Sequence, residues 1–139
     1  MISVNLKRIA ADSNVILSAC LGKRALRIFT ETGIEVITTA YNIEEVEEYL
    51  PHLALKYGLN PTLVNLQLTM LPLLSFPGNY YKAKVSLAKK YIGQRDPEDI
   101  HLLALAIKEE VPIWSNDGDF KDSPVHVYPT AKLLAMCDL

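Results

Sequence analysis

The chain has 139 residues, half of them hydrophobic and 22% charged, with a formal net charge of −2. That composition suits a globular chain and excludes a disordered one, and the length is that of one ordinary domain spanning residues 1–139. With no basic excess, a passive nucleic-acid binder is disfavoured; an enzyme whose acids hold metal ions is not, because the ions reverse the local sign.

The N-terminal MISVNLKRIA leads into a strand without the layout of a signal peptide, and no run of about 18 apolar residues is present. A cytoplasmic protein without a membrane anchor is expected. Cys20 and Cys137 form no CxxC and have no neighbouring His pattern, so they read as two incidental thiols in a reducing compartment.

The stretch from Lys7 to Ala19 organises the rest. Ile9, Ala10 and Ala11 make a short buried strand, and Asp12, Ser13 and Asn14 are three helix-starting residues in a row. Asp12 either caps a helix or stands outside the carboxyl end of a strand, where open α/β sheets bind ligands. A helical region follows from about 14 to 32, with a break at Gly22 and a stop at Gly33. Ile34 to Thr38 reads as strand two. From about Tyr41 to Tyr57 the spacing gives an amphipathic helix with Ile43, Val46, Leu50, Leu53 and Tyr57 on one stripe. Pro51 predicts a kink or break near Leu50.

Asn60-Pro61 starts a further helix that runs to Pro72, and Leu73 to Phe76 reads as a short third strand with Pro72 at its edge. After the Pro77-Gly78 turn, Tyr80 to Ile92 reads as one helix with a basic face of Lys82, Lys84, Lys89 and Lys90. Such a face is either solvated or drawn to phosphates. Asp96-Pro97-Glu98-Asp99 opens a helix apolar nearly all round, hence buried. Strands follow at 111–115 and 125–128, and a last helix at 130–136. Alternating strands and helices predict a three-layer α/β/α sandwich around a mainly parallel sheet of four to five strands.

Several acids fall at strand ends or first helical turns on one rim of that sheet. Asp12 ends strand one, and Asp117 and Asp119 follow the strand at 111–115. Asp99 either closes a capping arrangement begun by Asp96 and Pro97 or points inward above Leu103 and Ala106. Of Glu44, Glu45, Glu47 and Glu48, only Glu45 and Glu47 flank the apolar stripe, on opposite sides. Two carboxylates about 4 Å apart repel by about 4 kcal/mol at an effective dielectric near 20, so such a cluster needs protons or divalent cations. All-oxygen donors suit Mg²⁺ or Mn²⁺ rather than zinc.

With Asp12-Ser13-Asn14-Val15, Glu45-Val46, Asp96-Pro97-Glu98-Asp99 before HLLALAI, and Ser115-Asn116-Asp117 with Asp119-Phe120, the chain resembles the PIN domain, the nuclease module of VapC-type toxins. The resemblance covers nearly the whole chain. It implies a PIN-like α/β fold and Mg²⁺- or Mn²⁺-dependent hydrolysis of RNA phosphodiesters by in-line displacement. By motif position the acids map onto Asp12, Glu45, Asp99 and Asp117, with Asp119 an auxiliary metal ligand and Ser115 a polar neighbour. Ser115, Lys82 and Lys89 are the expected nucleic-acid contacts, joined by Lys23 and Arg24. Implied partners are a single-stranded RNA substrate and an antitoxin protein; the apolar residues of 63–74 and the helix from Ile100 point to a homodimer. Two rival readings are a non-catalytic scaffold that keeps the fold, and a metal-dependent phosphatase or phospho-acceptor domain. The latter lacks its marks, since position 14 is Asn where a dehalogenase-type site wants Asp.

Overall fold

A computed structural model describes residues 6–93 and 96–139; the reading of Met1–Asn5 as a plain lead into the first strand lies outside them. Five strands form one sheet: β1 (Arg8–Ala11), β2 (Glu35–Thr39), β3 (Leu73–Phe76), β4 (Ile113–Trp114) and β5 (Val127–Tyr128). Their order is β3-β2-β1-β4-β5 and every pairing is parallel. Register runs Ile9 to Val36, Ala10 to both Ile37 and Ile113, and Ala11 to Trp114.

Strand side chains alternate between two cores, as the two-residue period of a strand requires. Ile9, Ala11, Val36 and Trp114 face one, and Ala10, Ile37 and Ile113 face the other. The first core is covered by α1 (Ser13–Cys20), α2 (Leu26–Glu31), α3 (Ala40–Lys56), α4 (Pro61–Met70) and α8 (Thr130–Met136). The second is covered by α5 (Gly78–Tyr81), α6 (Val85–Ile92) and α7 (Pro97–Glu109). The sandwich is therefore three-layered, and α7 buries six residues, Ile100 and Leu102 to Ala106. No helix is long and apolar enough to cross a membrane among the described residues. Both cysteines are free.

Three local expectations are corrected. The helix over Pro51 does not break: α3 runs 17 residues through it. Pro51 and Glu47, whose carbonyl loses its donor four residues on, are both exposed, so water can satisfy that carbonyl. The buried stripe of α3 is Asn42, Val46, Leu50 and Ala54, and Tyr57 is exposed rather than packed. Asn42 can be buried because Thr39 and Ser13 satisfy its side chain. The basic helix over 80–92 is three pieces, α5, a 3-10 turn at Lys82–Lys84 and α6, so its lysines do not share one continuous face. In α4 only Val64 is buried, while Leu63 and Leu66 are exposed.

Candidate active site

Strand order reverses between β1 and β4. The chain moves outward from β1 to β2 and β3, then returns across the sheet to β4 and β5. Such a switch point opens a crevice beyond the carboxyl ends of the strands, and parallel connections bring the starts of the following helices to the same rim. Six acids arrive there from four directions.

Asp12 leaves β1 and is the N-cap of α1, with Oδ1 accepting the Val15 N–H at 3.0 Å. Its own N–H donates to the Trp114 carbonyl at 3.1 Å, which fixes it against the end of β4. Capping and site placement are thus compatible uses of one side chain. Asp12 is only 4% exposed, and burial pushes its carboxyl up to about 6; the Asp117 charge adds to this, while hydrogen bonds from Ser115 and from the Val15 and Asn14 backbone oppose it.

The loop after β4 is built around buried anchors. Trp114 packs on Phe29 and donates from Nε1 to Thr130 Oγ1 at 2.9 Å. Asn116 Oδ1 accepts the Thr130 N–H at 2.8 Å, and Phe120 is buried at the far end. Between these pins, Ser115 Oγ accepts the Asp117 N–H at 3.2 Å and Asp117 Oδ1 accepts the Asp119 N–H at 2.9 Å. Ser115, expected to touch nucleic acid, is 2% exposed and spends its hydroxyl on Asp12 and Asp117. It positions carboxylates and does not present a surface.

Asp99 enters from the first turn of α7. Burial, then the charges of Asp119, Asp117, Asp96 and Asp12, push its carboxyl up to about 7. Asp96 begins the same helix, yet its side chain makes no cap hydrogen bond and instead lines the cleft. Sequence reading treated Asp96 as a cap; its placement two residues before the Glu98-Asp99 pair was the available signal. Glu45 comes from α3, raised by burial and by Glu98, Asp96 and Glu48, and held by a hydrogen bond with Ser13. Ser13 is itself tied to Asn42, whose amide donates to its hydroxyl at 2.9 Å. This buried Ser13–Asn42–Thr39 set was not anticipated, because polar residues at a strand end look like ordinary turn chemistry.

The glutamate question has a geometric answer. Glu45 lines a cleft of about 350 Å³ together with Asn14, Leu17, Tyr49, His52, Leu53, Asp96, Asp99, Asp117 and Asp119. Glu47 lies on a different groove with Asn65, Leu68 and Thr69. Lys82 and Lys89 are exposed and are not in the cleft's wall. Lys23 and Arg24 line a neighbouring groove of about 650 Å³ with Ser18 and Asn116, one residue away from Asp117.

The donors suit a hard divalent cation: every candidate is a carboxylate, and two are held by burial and mutual repulsion well above their ordinary range. A cation beside them relieves what a proton otherwise must. Among the described residues no three His, Cys, Asp or Glu side chains stand close enough to enclose an ion, so closing on one requires rotamer changes in this cleft.

Comparison with curated proteins finds no match. Among solved structures, the chain is similar to a chain of a toxin–antitoxin complex from Klebsiella pneumoniae, with TM-score 0.63 and 15% identity over 88% of this chain and 97% of that one. It is similar to a chain of VapBC2 from Rickettsia felis bound to a promoter DNA fragment (TM-score 0.58, 11% identity, 88% and 98% covered). It is also similar to a chain of FitAcB from Neisseria gonorrhoeae (TM-score 0.54, 21% identity, 88% and 98% covered). At these identities the likeness is one of fold. The family model of the PIN domain matches residues 11–136, a span that takes in every acid of the cleft, and the chain belongs to the PIN domain family.

Proposed function

We propose that this protein is a Mg²⁺- or Mn²⁺-dependent ribonuclease that hydrolyses phosphodiester bonds of single-stranded RNA. The observation that carries the reading is the convergence of Glu45, Asp96, Asp99, Asp117 and Asp119 on one cleft, with Asp12 buried beside them and coupled to Asp99 and Asp117. Asp12 and Asp117 would hold the ion from β1 and the loop after β4, and Asp99 and Glu45 would complete the donor set from α7 and α3, with Asp119 auxiliary. When bound, the ion supplies charge neutralisation for in-line displacement at phosphorus and a source of hydroxide near neutral pH. Ser115 and Ser13 keep the carboxylates aimed. Asp99, pushed up to about 7, is the group able to take up and release a proton near neutrality.

Residues 1–139 act as one domain in this reading, in the cytoplasm, as the toxin of a toxin–antitoxin pair. Support for the antitoxin comes from the similar structures, which are a toxin–antitoxin complex, VapBC2 and FitAcB. The exposed Leu63, Leu66, Met70 and Leu74 supply an apolar surface for a second copy.

The test is cleavage of a mixed single-stranded RNA by wild type and Asp12→Asn with Mg²⁺, with Mn²⁺ and with EDTA. Metal-dependent cutting lost in the variant is expected. A scaffold reading is favoured by one observation, that among the described residues no three carboxylates stand close enough to enclose an ion. It predicts neither cutting nor a Mn²⁺-induced rise in melting temperature, whereas a real site is stabilised by ligand linkage.

A further inference from the structure

Beside Glu45, the wall that α3 gives the cleft is aromatic. Tyr49, His52 and Leu53 of α3 complete the lining that Glu45 begins. At 3.6 residues per turn, positions 45, 49, 52 and 56 form one stripe, beside the buried face of Asn42, Val46, Leu50 and Ala54. Tyr49 is 48% exposed, and His52 and Lys56 are exposed. Such a stripe has no role in either core.

At its far end the stripe turns cationic. Lys23 donates to Tyr57 Oη at 3.4 Å with its ammonium 4.5 Å from the ring centroid, and Lys56 Nζ stands 5.8 Å from the same ring. Among the described residues neither lysine is in a salt bridge. A lysine ammonium has three donors, so the phenol leaves Lys23 with capacity for an anion. Lys23 also lines the groove that reaches Asn116, next to Asp117. From Glu45 to Lys56 the helix rises about 16 Å, running from acids, through two rings, to paired cations.

We infer that Tyr49, His52 and Lys56 of α3, with Lys23, form the track on which the RNA strand lies as it enters the cleft. A nucleobase stacks on Tyr49, and phosphates beyond it meet Lys56 and Lys23. Interleaved rings and cations are the arrangement that holds an unpaired strand, since stacking needs a base freed from its neighbours while duplex RNA is recognised by shape and backbone. The acids of the cleft repel phosphate unless an ion is present, so in its absence the affinity for the strand resides in this track. The inference rests on the ribonuclease reading and adds to it the residues that choose a single strand.

The test uses the full chain carrying Asp12→Asn, in EDTA, with a labelled single-stranded oligoribonucleotide and the matching duplex, read by fluorescence anisotropy. Adding Tyr49→Ala is expected to weaken single-strand binding about tenfold, with Tyr49→Phe within about twofold of the parent. Adding Lys23→Ala and Lys56→Ala together should lower the slope of log affinity against log salt by about 1.4, at about 0.7 per phosphate contact, while Lys7→Ala with Lys108→Ala, before the start of β1 and in the last turn of α7, leaves it unchanged. In the otherwise wild-type protein with Mn²⁺, Tyr49→Ala should raise KM and spare kcat. Single-strand binding and KM unchanged by Tyr49→Ala, in a protein that still cuts RNA, overturn the track alone and leave the surface to a protein partner. A wild-type protein that neither binds nor cuts RNA overturns the ribonuclease reading and the track together.

Discussion

Removing the Asp12 charge should stabilise the metal-free protein while destroying its activity. Asp12 is 4% exposed, and its carboxyl titrates at about 6 rather than at the ordinary 3.8. An acid raised in this way contributes its full stability below about pH 4 and loses it as pH rises through about 6. At pH 8 the ionised, metal-free carboxylate therefore weakens the fold by up to ~3 kcal/mol, taking 1.36 kcal/mol per tenfold change in proton affinity. Asn has the same shape and still offers Oδ1 to the Val15 N–H, so Asp12→Asn removes the charge and keeps the cap. In thermal melts with EDTA at pH 8, the variant should melt up to about 10 °C above wild type, at a few degrees per kcal/mol. The gap should close as pH falls to 4. With Mn²⁺ at pH 8 it should narrow or reverse, because only wild type gains from the ion. A variant less stable than wild type at pH 8 in EDTA, or a gap that does not depend on pH, would refute the argument that burial of this charge is what raises its pKa.

Asp99→Asn should behave likewise, with its metal-free stabilisation developing between the ordinary carboxyl range and about pH 7; melts at pH 5 and 8 check the window. Because Glu45 lines the acid cleft and Glu47 another groove, Glu45→Gln should lower kcat for RNA at least tenfold while Glu47→Gln leaves it within about twofold, measured in Mn²⁺. Trp114→Phe removes the Nε1 hydrogen bond to Thr130 and leaves a void beside Phe29. A loss of about 2–3 kcal/mol in urea unfolding is expected, together with weaker cleavage, since Trp114 also anchors the loop that carries Asp117.

How legible the fold was depended on whether each element's signal was local. The run Ile9-Ala10-Ala11 followed at once by Asp12-Ser13-Asn14 marks a strand-to-helix transition in any context, and β1 and α1 lie there. Asn60-Pro61 and Asp96-Pro97 placed the starts of α4 and α7 for the same reason. What sequence could not supply was which side of a helix finds cover. The stripe of α3 was assigned from its apolar residues, yet it rotates far enough to bury Asn42, because Ser13 and Thr39 wait on neighbouring elements to bond it. Pro51 misled in the same way. Its cost depends on whether the freed carbonyl meets water, and that is a property of the surface around Glu47.

The site divides along the same line. Asp12, Asp99 and Asp117 were legible because strand ends and first helical turns of a parallel sheet all face one rim, so chain position alone brings them together. Helix spacing left Glu45 as one of a pair on either side of a stripe, motif position favoured it, and in the structure the packing of α3 against α1 turns it toward Ser13. Asp96 was hidden by a sufficient local explanation: a cap before Pro97 needs no further role, and only the missing cap hydrogen bond reveals that the side chain points elsewhere. Ser115 was recognised as polar beside the acids, but its burial and its bonds to Asp12 and Asp117 were not, since burial is invisible in a dipeptide such as Ser115-Asn116. It follows that the acids of such a cleft can be found by chain position, whereas the groups that aim them, Ser13, Ser115 and Asn42, are found by asking how each buried polar atom is satisfied.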